Sequence, residues 1–484
     1  MSRDQRTSND TITLLHTNDI HSHFENMGIL AAIANDYRER YGPEHVVLLD
    51  IGDHMDRMSP ETEGSEGAAN VDILNLNQYD AITIGNNEGL TYTSAILNQA
   101  YAGILCPVVC SNVTEHATGQ PPVWMQTHRI IEKGGWRIGL VGATAQYGDF
   151  YELLGWDVDE PARCLEPLVR ELRDQVDLLV LMSHLGLSTD QRLAEQLPQL
   201  DVILGGHSHH VLERPLWIGH TVIGAAGKFG HYMGHMCWQK AVDGGRPKLL
   251  DGGLIPTADE NMPRDERIES AIALHRERAA ERMSRTVAIL KEPLEIGYEH
   301  ESPLGNLLAQ AVRRYTGTEL SIVNAGQWLG PLPAGEISEA LLHRLCPSPI
   351  NPSQTLLKGR SIRLALEQSL LPEFTGRAIM GFGFRGKVLG CLCVDGLTIQ
   401  YDPNRAPYDR IVSITTTAGE PLEDEREYSV GTLDMFTFRI GYESLSESTS
   451  VSYMLSEFIR DLLRTELQTP GAIDVSAEPR WFML

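Results

Sequence analysis

Positive charge is what this chain has least of. Its 484 residues carry 40 Lys and Arg against 65 Asp and Glu, a formal net charge of −25. A field of that sign repels a phosphate backbone, which excludes nucleic acid as a partner. An anionic metabolite meets the same repulsion unless local positive charge draws it in, and divalent metal ions supply such charge. Long apolar runs are also missing. Met1 to Asp10 is polar, with no apolar core of a secretory signal, and no stretch is long enough to cross a bilayer. The expectation is a cytoplasmic protein without a membrane partner. Cysteine is sparse: Cys106, Cys110, Cys164, Cys237, Cys346, Cys391 and Cys393 are odd in number and scattered, which does not suggest a disulfide framework. Cys391-Leu392-Cys393 reads as part of a strand. There is no low-complexity tract and no repeat.

What is present is a globular composition, 42% apolar and 22% charged, on a chain long enough for two domains. From about Thr11 to Leu254, strands and helices alternate. Strands are expected at Ile12–His16, Val46–Ile51, Ala81–Ile84, Arg137–Gly142, Leu178–Met182 and Val202–Leu204. Helical spacing covers Ile29–Tyr41, Ala68–Gln78, Pro161–Asp174 and Gln191–Gln196. Thr221–Ala226 and Tyr232–Gln239 read as strands close in sequence, hence antiparallel to one another. This is an α/β layered sandwich. Asp259–Arg285 is charged with helical periodicity, either a solvated surface helix or an interdomain spacer. A second domain begins near Ser302, where Ser302-Pro303 forms an N-cap and N1 pair opening a helix to Tyr315. Further strands are expected at Glu319–Val323, Leu397–Tyr401 and Ile411–Thr416, a turn and helix at Gly335–Leu345, and helices at Arg360–Gln368 and Val451–Leu463.

Five polar clusters follow apolar runs in the first half: Asp19-Ile20-His21, Gly52-Asp53, Gly85-Asn86, Ser183-His184 and Gly206-His207-Ser208-His209. Each alone is ordinary, since an Asp-x-His pair is more often a turn with a surface histidine. Together, four histidines, two aspartates and one asparagine at the ends of five strands point to a metal centre, because open α/β sheets place their chemistry at strand ends. Two cations about 3.5–4 Å apart need a ligand that bridges them, and a carboxylate does this well. Asp53 is assigned the bridge. One cation takes Asp19, His21 and His209; the other takes Asn86, His184 and His207. Mixed nitrogen and oxygen donors suit Mn²⁺, Zn²⁺, Fe²⁺ or Co²⁺. Such a pair activates water near neutral pH and neutralises charge on phosphoryl oxygens.

These blocks resemble the calcineurin-like metallophosphoesterase superfamily. The order Thr17-Asn18-Asp19-Ile20-His21, Gly52-Asp53-His54-Met55-Asp56, Gly85-Asn86, Ser183-His184 and Gly206-His207-Ser208-His209 is similar to its 5′-nucleotidase / UDP-sugar hydrolase / 2′,3′-cyclic phosphodiesterase family. The resemblance implies an N-terminal four-layer αββα catalytic sandwich over 1–255, a helical linker over 256–300 and a C-terminal α+β substrate-binding domain over 301–484. It also implies an active site between the domains, with domain rotation admitting a small phosphorylated metabolite, a nucleotide or nucleotide derivative in that family's pattern. A protein that binds such a ligand with little turnover is the competing reading.

The chain departs from the family at Gly85-Asn86-Asn87-Glu88, where the family has Gly-Asn-His-Glu. The missing histidine helps stabilise the transition state and leaving group there. Asn87 donates a hydrogen bond but carries no proton; His23, His54 and His210 are the candidate stand-ins. The family's phosphate arginine is absent from Asn324-Ala325-Gly326-Gln327-Trp328. Asn324 and Gly326 remain as substrate-binding candidates, with Trp328 either stacking on a base or packed in the core. In Arg439-Ile440-Gly441-Tyr442, Tyr442 is placed in the aromatic role and Arg439 against a phosphate. Gly381–Gly386 either lines the substrate cleft or makes a turn. The loss at Asn87 predicts rates that favour leaving groups departing without protonation, such as phosphoanhydrides or nitrophenyl esters. Rates plotted against leaving-group pKa are expected to fall steeply, and a flat plot would contradict this; Asn87→His is expected to help alkyl monoesters most.

Overall fold

The computed structural model describes residues 10–241, 245–259, 261–379, 381 and 383–484. The polar N-terminus through residue 9 and Phe382 of the glycine-rich loop lie outside the described residues. The chain divides into two compact units, Met1–Ala279 and Ala280–Leu484.

Fifteen strands are assigned in the first unit: β1 (Thr11–Thr17), β2 (Val46–Asp50), β3 (Ala81–Ile82), β4 (Val108–Val109), β5 (Val113–Glu115), β6 (Met125–Gln126), β7 (His128–Lys133) and β8 (Trp136–Thr144), then β9 (Trp156–Val158), β10 (Leu178–His184), β11 (Val202–Gly205), β12 (Leu216–Ile218), β13 (Thr221–Ala225), β14 (Tyr232–Gln239) and β15 (Lys248–Pro256). They form a seven-stranded sheet, β15-β14-β1-β2-β3-β4-β6, and a six-stranded sheet, β12-β13-β11-β10-β8-β7, beside the short β5-β9 ribbon. The central strands β1, β2 and β3 run parallel, as do β13, β11, β10 and β8.

The two sheets face each other. Ile12, Leu14, Val47 and Leu49 of the first sheet share one buried cluster with Leu178, Val180, Met182, Val202 and Leu204 of the second. The alternate residues Leu179, Leu181 and Ile203 point the other way, into a cluster with Leu165, Val169, Leu172 and Leu193 of the helices Pro161–Arg173 and Leu187–Gln196. Strands buried on both faces need apolar residues at every position, which is why these runs read as continuous rather than alternating. The helix Met27–Tyr41 packs on the first sheet.

The expected pairing of β13 with β14 is overturned. They lie in different sheets: β13 pairs with β11 and β12, and β14 with β1 and β15. The connection takes left-handed backbone at Gly227, Phe229 and Gly230 (φ 74°, 62° and 66°) and carries the chain from one sheet to the other. The helix expected around Asp259–Arg285 spans Glu266–Arg282. It is tied to the first unit by Asp265 N–H on the Gly28 carbonyl (2.9 Å), His275 on Asp72 (2.9 Å) and Arg276 on Glu61 (2.9 Å).

The second unit carries β16 (Thr286–Leu290), β17 (Leu320–Asn324), β18 (Gly335–Ser338), β19 (Pro352–Lys358), β20 (Leu392–Asp395), β21 (Leu397–Tyr401), β22 (Ile411–Thr416), β23 (Glu427–Leu433), β24 (Val451–Tyr453) and β25 (Trp481–Met483). Its main sheet is β20-β17-β23-β19-β24, with helices Pro303–Thr316 and Ile459–Gln468 packed together beside it. Pro303 does open its helix after Ser302. The closing helix expected from Val451 is corrected. Val451–Tyr453 is a strand on β19, and the helix begins at Ile459, where the Asp461 carboxylate accepts the Phe458 N–H (3.0 Å). A β-branched residue and an aromatic two positions apart fit a pleated edge better than a helix start.

Close approach of the sheets needs a glycine in β8. A Cβ at Gly142 would lie 2.0 Å from the Val109 carbonyl oxygen of β4, and the Gly142 carbonyl accepts the Ser111 N–H at 2.7 Å. Gly142→Ala is expected to destabilise the first unit by about 1–3 kcal/mol. Urea denaturation followed by tryptophan fluorescence checks it, and an unchanged midpoint would contradict the packing.

Candidate metal centre

Asp19 and His21 follow β1, Asp53 follows β2, Asn86 follows β3, His184 ends β10 and His207 and His209 follow β11. The structure brings all seven together. His209 Nε2 lies 3.3 Å from Asp19 Oδ1 and 3.3 Å from His21 Nε2, which is itself 3.7 Å from Asp19 Oδ1. His184 Nε2 lies 3.3 Å from Asp53 Oδ2, and His207 Nδ1 lies 2.7 Å from Asn86 Oδ1. Asp53 Oδ2 also stands 3.8 Å from His21 Nε2, so it faces one imidazole of each set. Asp19, His21 and His209 form one group able to hold a cation, and Asp19, Asp53 and His184 form another. Asp19 therefore reaches both groups, a feature the sequence does not reveal.

His184 tests whether these residues fit a cation. Its Nδ1 donates to the Ile51 carbonyl (2.7 Å), so loss of the other ring proton leaves Nε2 as the lone-pair nitrogen. That Nε2 is buried, makes no hydrogen bond and points toward Asp53. A ring nitrogen oriented by a backbone carbonyl on its far side is how histidine is presented to metals. The backbone bends to make this cage. Asp19, His21, Asp53, His207 and His209 have φ of 52°, 48°, 51°, 70° and 55°. Each such non-glycine residue costs on the order of 1–3 kcal/mol, and strain of this kind gathers at functional sites. At Gly85 a Cβ would fall 2.1 Å from Asp53 Oδ1, so only glycine lets the two loops touch.

Residues 12–211 match the calcineurin-like phosphoesterase model, and residues 286–441 match the 5′-nucleotidase C-terminal domain. The metallophosphoesterase YunD of Bacillus subtilis (strain 168) is 36% identical over 95% of this chain and 99% of its own length. The chain belongs to the calcineurin-like phosphoesterases that carry a 5′-nucleotidase C-terminal domain. Snake venom 5′-nucleotidase of Crotalus adamanteus is 24% identical, over 87% of this chain and 79% of that protein. In fold, the chain is similar to a putative 5′-nucleotidase from Staphylococcus aureus in complex with alpha-ketoglutarate: TM-score 0.70, 15% identity, 98% of this chain and 99% of that one. Members of this family are hydrolases, and calcineurin-like phosphoesterases use a dinuclear metal centre.

The position where the family histidine is missing is occupied in a defined way. Asn87 Nδ2 lies 2.8 Å from His21 Nδ1, and the Asn87 N–H donates to Asp53 Oδ1 at 2.7 Å. Asn87 thus orients two candidate ligands. The proposed stand-ins fare differently. His54 is corrected: it is 2% exposed, burial pushes its pKa down to about 3, and its Nδ1 accepts from Asn70 (3.1 Å), so it stays neutral and out of reach of a substrate. His23 is half-buried, pairs with Glu25 (2.7 Å) and packs its ring, tilted by 33°, against Phe229 at 3.9 Å. His210 Nδ1 meets Ser208 Oγ at 2.8 Å.

Three residues near this phosphoesterase centre escaped the sequence reading. Glu88 is buried and accepts N–H groups from Asp53 (3.1 Å), Met55 (2.8 Å) and Gly85 (2.8 Å). Asp56 Oδ2 lies 3.5 Å from His21 Nδ1. The Tyr147 hydroxyl, on a 40%-exposed side chain, lies 3.2 Å from His207 Nε2. Only Glu88 and Asp56 had a signal, their place inside quoted motifs; Tyr147 had none.

In the second unit, two substrate candidates are corrected. Trp328 is fully buried in the core and stacks on nothing outside it. Tyr442 is equally buried, its hydroxyl donating to the Gly390 carbonyl (2.8 Å) and its ring stacked with Phe374. Asn324 is engaged internally, donating to the Leu389 carbonyl (2.6 Å) and accepting from Gln327 (2.8 Å). A Cβ at Gly326 would meet the Val388 carbonyl at 2.0 Å, so this glycine serves close packing. Arg439 is exposed, in left-handed backbone (φ 62°). Phe384 of the glycine-rich loop is buried.

Electrostatics at the centre are those of carboxylates and imidazoles held together. Burial would lower the pKa of His184, but Asp53 and Asp19 push it up to about 10. His21 is likewise raised to about 10 against burial, by Asp19, Asp56 and Asp53. Burial would raise Asp19, yet the His209 and His21 rings hold it below the usual carboxylate range. A cation can take His21 and His184 only after their protons leave. Both rings are raised above 6.5, hence protonated at pH 7 without cations. Mn²⁺ affinity is therefore expected to rise with pH through neutrality and fall below it, by up to about tenfold per pH unit for each released proton. Calorimetry in buffers of different ionisation enthalpy checks this, and affinity independent of pH between about 6 and 8 would contradict it.

Proposed function

We propose that the chain is a dinuclear metal-dependent phosphoester hydrolase acting on nucleotides or related small phosphorylated metabolites. One observation carries this reading: Asp53 Oδ2 stands between His184 Nε2 and His21 Nε2, at 3.3 and 3.8 Å, with a further imidazole beyond each. That is the arrangement a bridging carboxylate requires. The two cations would be Mn²⁺, Zn²⁺, Fe²⁺ or Co²⁺, held by Asp19, His21, Asp53 and His209 on one side and Asp53, Asn86, His184 and His207 on the other. Bound there, such cations would supply activation of a water nucleophile and neutralisation of charge on the phosphoryl oxygens.

The chain's own residues hold this geometry. Glu88 fixes the Asp53 loop against the Asn86 loop, and the Asn87 N–H fixes Asp53 Oδ1. The Tyr147 hydroxyl lies 3.2 Å from His207 Nε2 and can accept its proton in a hydrogen bond. For Nδ1 to serve as ligand beside Asn86, Nε2 carries the hydrogen and donates it to the Tyr147 oxygen. The nucleotide preference rests on the 5′-nucleotidase C-terminal domain and on relatives named for that activity. We assign substrate selection to the second unit, with exposed Arg439 as its candidate anion contact. Burial of Trp328 and Tyr442 argues against a base sandwiched on those rings. No helix among the described residues is long and apolar enough to cross a membrane. The seven cysteines are free thiols, which supports a reducing, cytoplasmic setting.

The test is a phosphoester panel assayed with added Mn²⁺, Zn²⁺, Fe²⁺ and Co²⁺. Turnover is expected with at least one metal, and Asp53→Asn is expected to cut it by at least about 10²–10³-fold. Tight ligand binding with no turnover under any metal would replace the hydrolase with a binding or sensing protein.

A further inference from the structure

Among the described residues, a half-buried lysine beside the first ligand group has no anionic partner. Lys228 lies in the connection between β13 and β14, and that connection is clamped by both loops that carry this group. The Gly227 carbonyl accepts from Asn18 Nδ2 (2.6 Å), and the Gly227 N–H donates to the His210 carbonyl (3.0 Å). The Phe229 N–H donates to the Asp19 carbonyl (2.7 Å), and Phe229 is held in left-handed backbone, φ 62°. A bulky residue adopts that conformation only where its surroundings enforce it.

Phe229 serves as a mount. Its ring lies 5.8 Å from the His21 ring and 3.9 Å from the His23 ring, and the Lys228 ammonium sits 4.5 Å from its centroid. A ring holds an ammonium in place without cancelling its charge, as a carboxylate would. In a chain of 65 acidic residues, none of those described pairs with Lys228. An uncancelled cation at this point offsets locally the field of a chain with net charge −25.

We propose that Lys228 binds a second phosphoryl group of the substrate, adjacent to the one held at the metal centre, so that the enzyme selects substrates bearing neighbouring phosphoryl groups over simple monoesters. This rests on the phosphoesterase reading. His23 is tied to Glu25, and Lys228, held on the Phe229 ring, is the lysine set to meet the second anion.

The test is calorimetric titration of the full chain loaded with Mn²⁺, using inorganic pyrophosphate and inorganic phosphate, with metal content verified after each titration. Wild type is expected to prefer pyrophosphate by about tenfold, the worth of one charge-assisted contact. Lys228→Met is expected to bring that ratio near unity and Lys228→Arg to restore most of it, with melting temperatures reporting that both variants fold. An unchanged ratio in Lys228→Met, equal loss for both anions, or no pyrophosphate preference in wild type would each overturn the proposal. Lysine-dependent pyrophosphate preference in a protein inert toward every phosphoester would instead keep this site and remove the hydrolase.

Discussion

The centre depends on one fully buried carboxylate. Glu88 accepts three backbone N–H groups, from Asp53, Met55 and Gly85, and so joins the loop after β2 to the loop after β3. Burial first, and then the negative Asp53, push its pKa up to about 7. Three amide donors satisfy it where water cannot, and a buried acceptor so satisfied is costly to remove. Asp53 can face imidazoles from both sheets because its loop is held at this point. The left-handed backbone of the neighbouring ligands depends on the same support, since unsupported residues would relax out of it.

Charge explains why the cage is built from mutually opposed groups. Two aspartates and four imidazoles in so small a space would repel or neutralise one another if they were not interleaved. Each carboxylate instead lies between rings, and His21 and His184 take protons when no cation is present. Cations and protons thus compete for the same lone pairs, in a protein whose overall field favours cations and disfavours phosphate.

Much of this was legible in the residues. The seven candidate ligands were readable because strand ends in an open sheet are marked by apolar runs stopping at polar groups, as at Leu178 to His184. The runs do not say which strands are partners. Thr221–Ala225 and Tyr232–Gln239 look like a hairpin because they are close in sequence, yet three left-handed residues between them send each to a separate sheet. Likewise, Val451–Tyr453 runs without a break into a helical pattern, although pairing with β19 decides its conformation. Trp328 and Tyr442 show the limit for single aromatics, because their exposure depends on tertiary packing that no local pattern records. Tyr147 was invisible because its role comes from one contact, 60 residues away in sequence.

The passage of the chain between sheets at Gly227–Gly230 has a mechanical consequence. A sandwich of two sheets has a natural slip plane through its apolar interior. Here a short covalent strap crosses that plane, and both of its ends are laced to the loops bearing Asp19 and His209. Sliding of one layer over the other would have to drag this strap through the cage, so alignment of the layers and shape of the cage form a single degree of freedom.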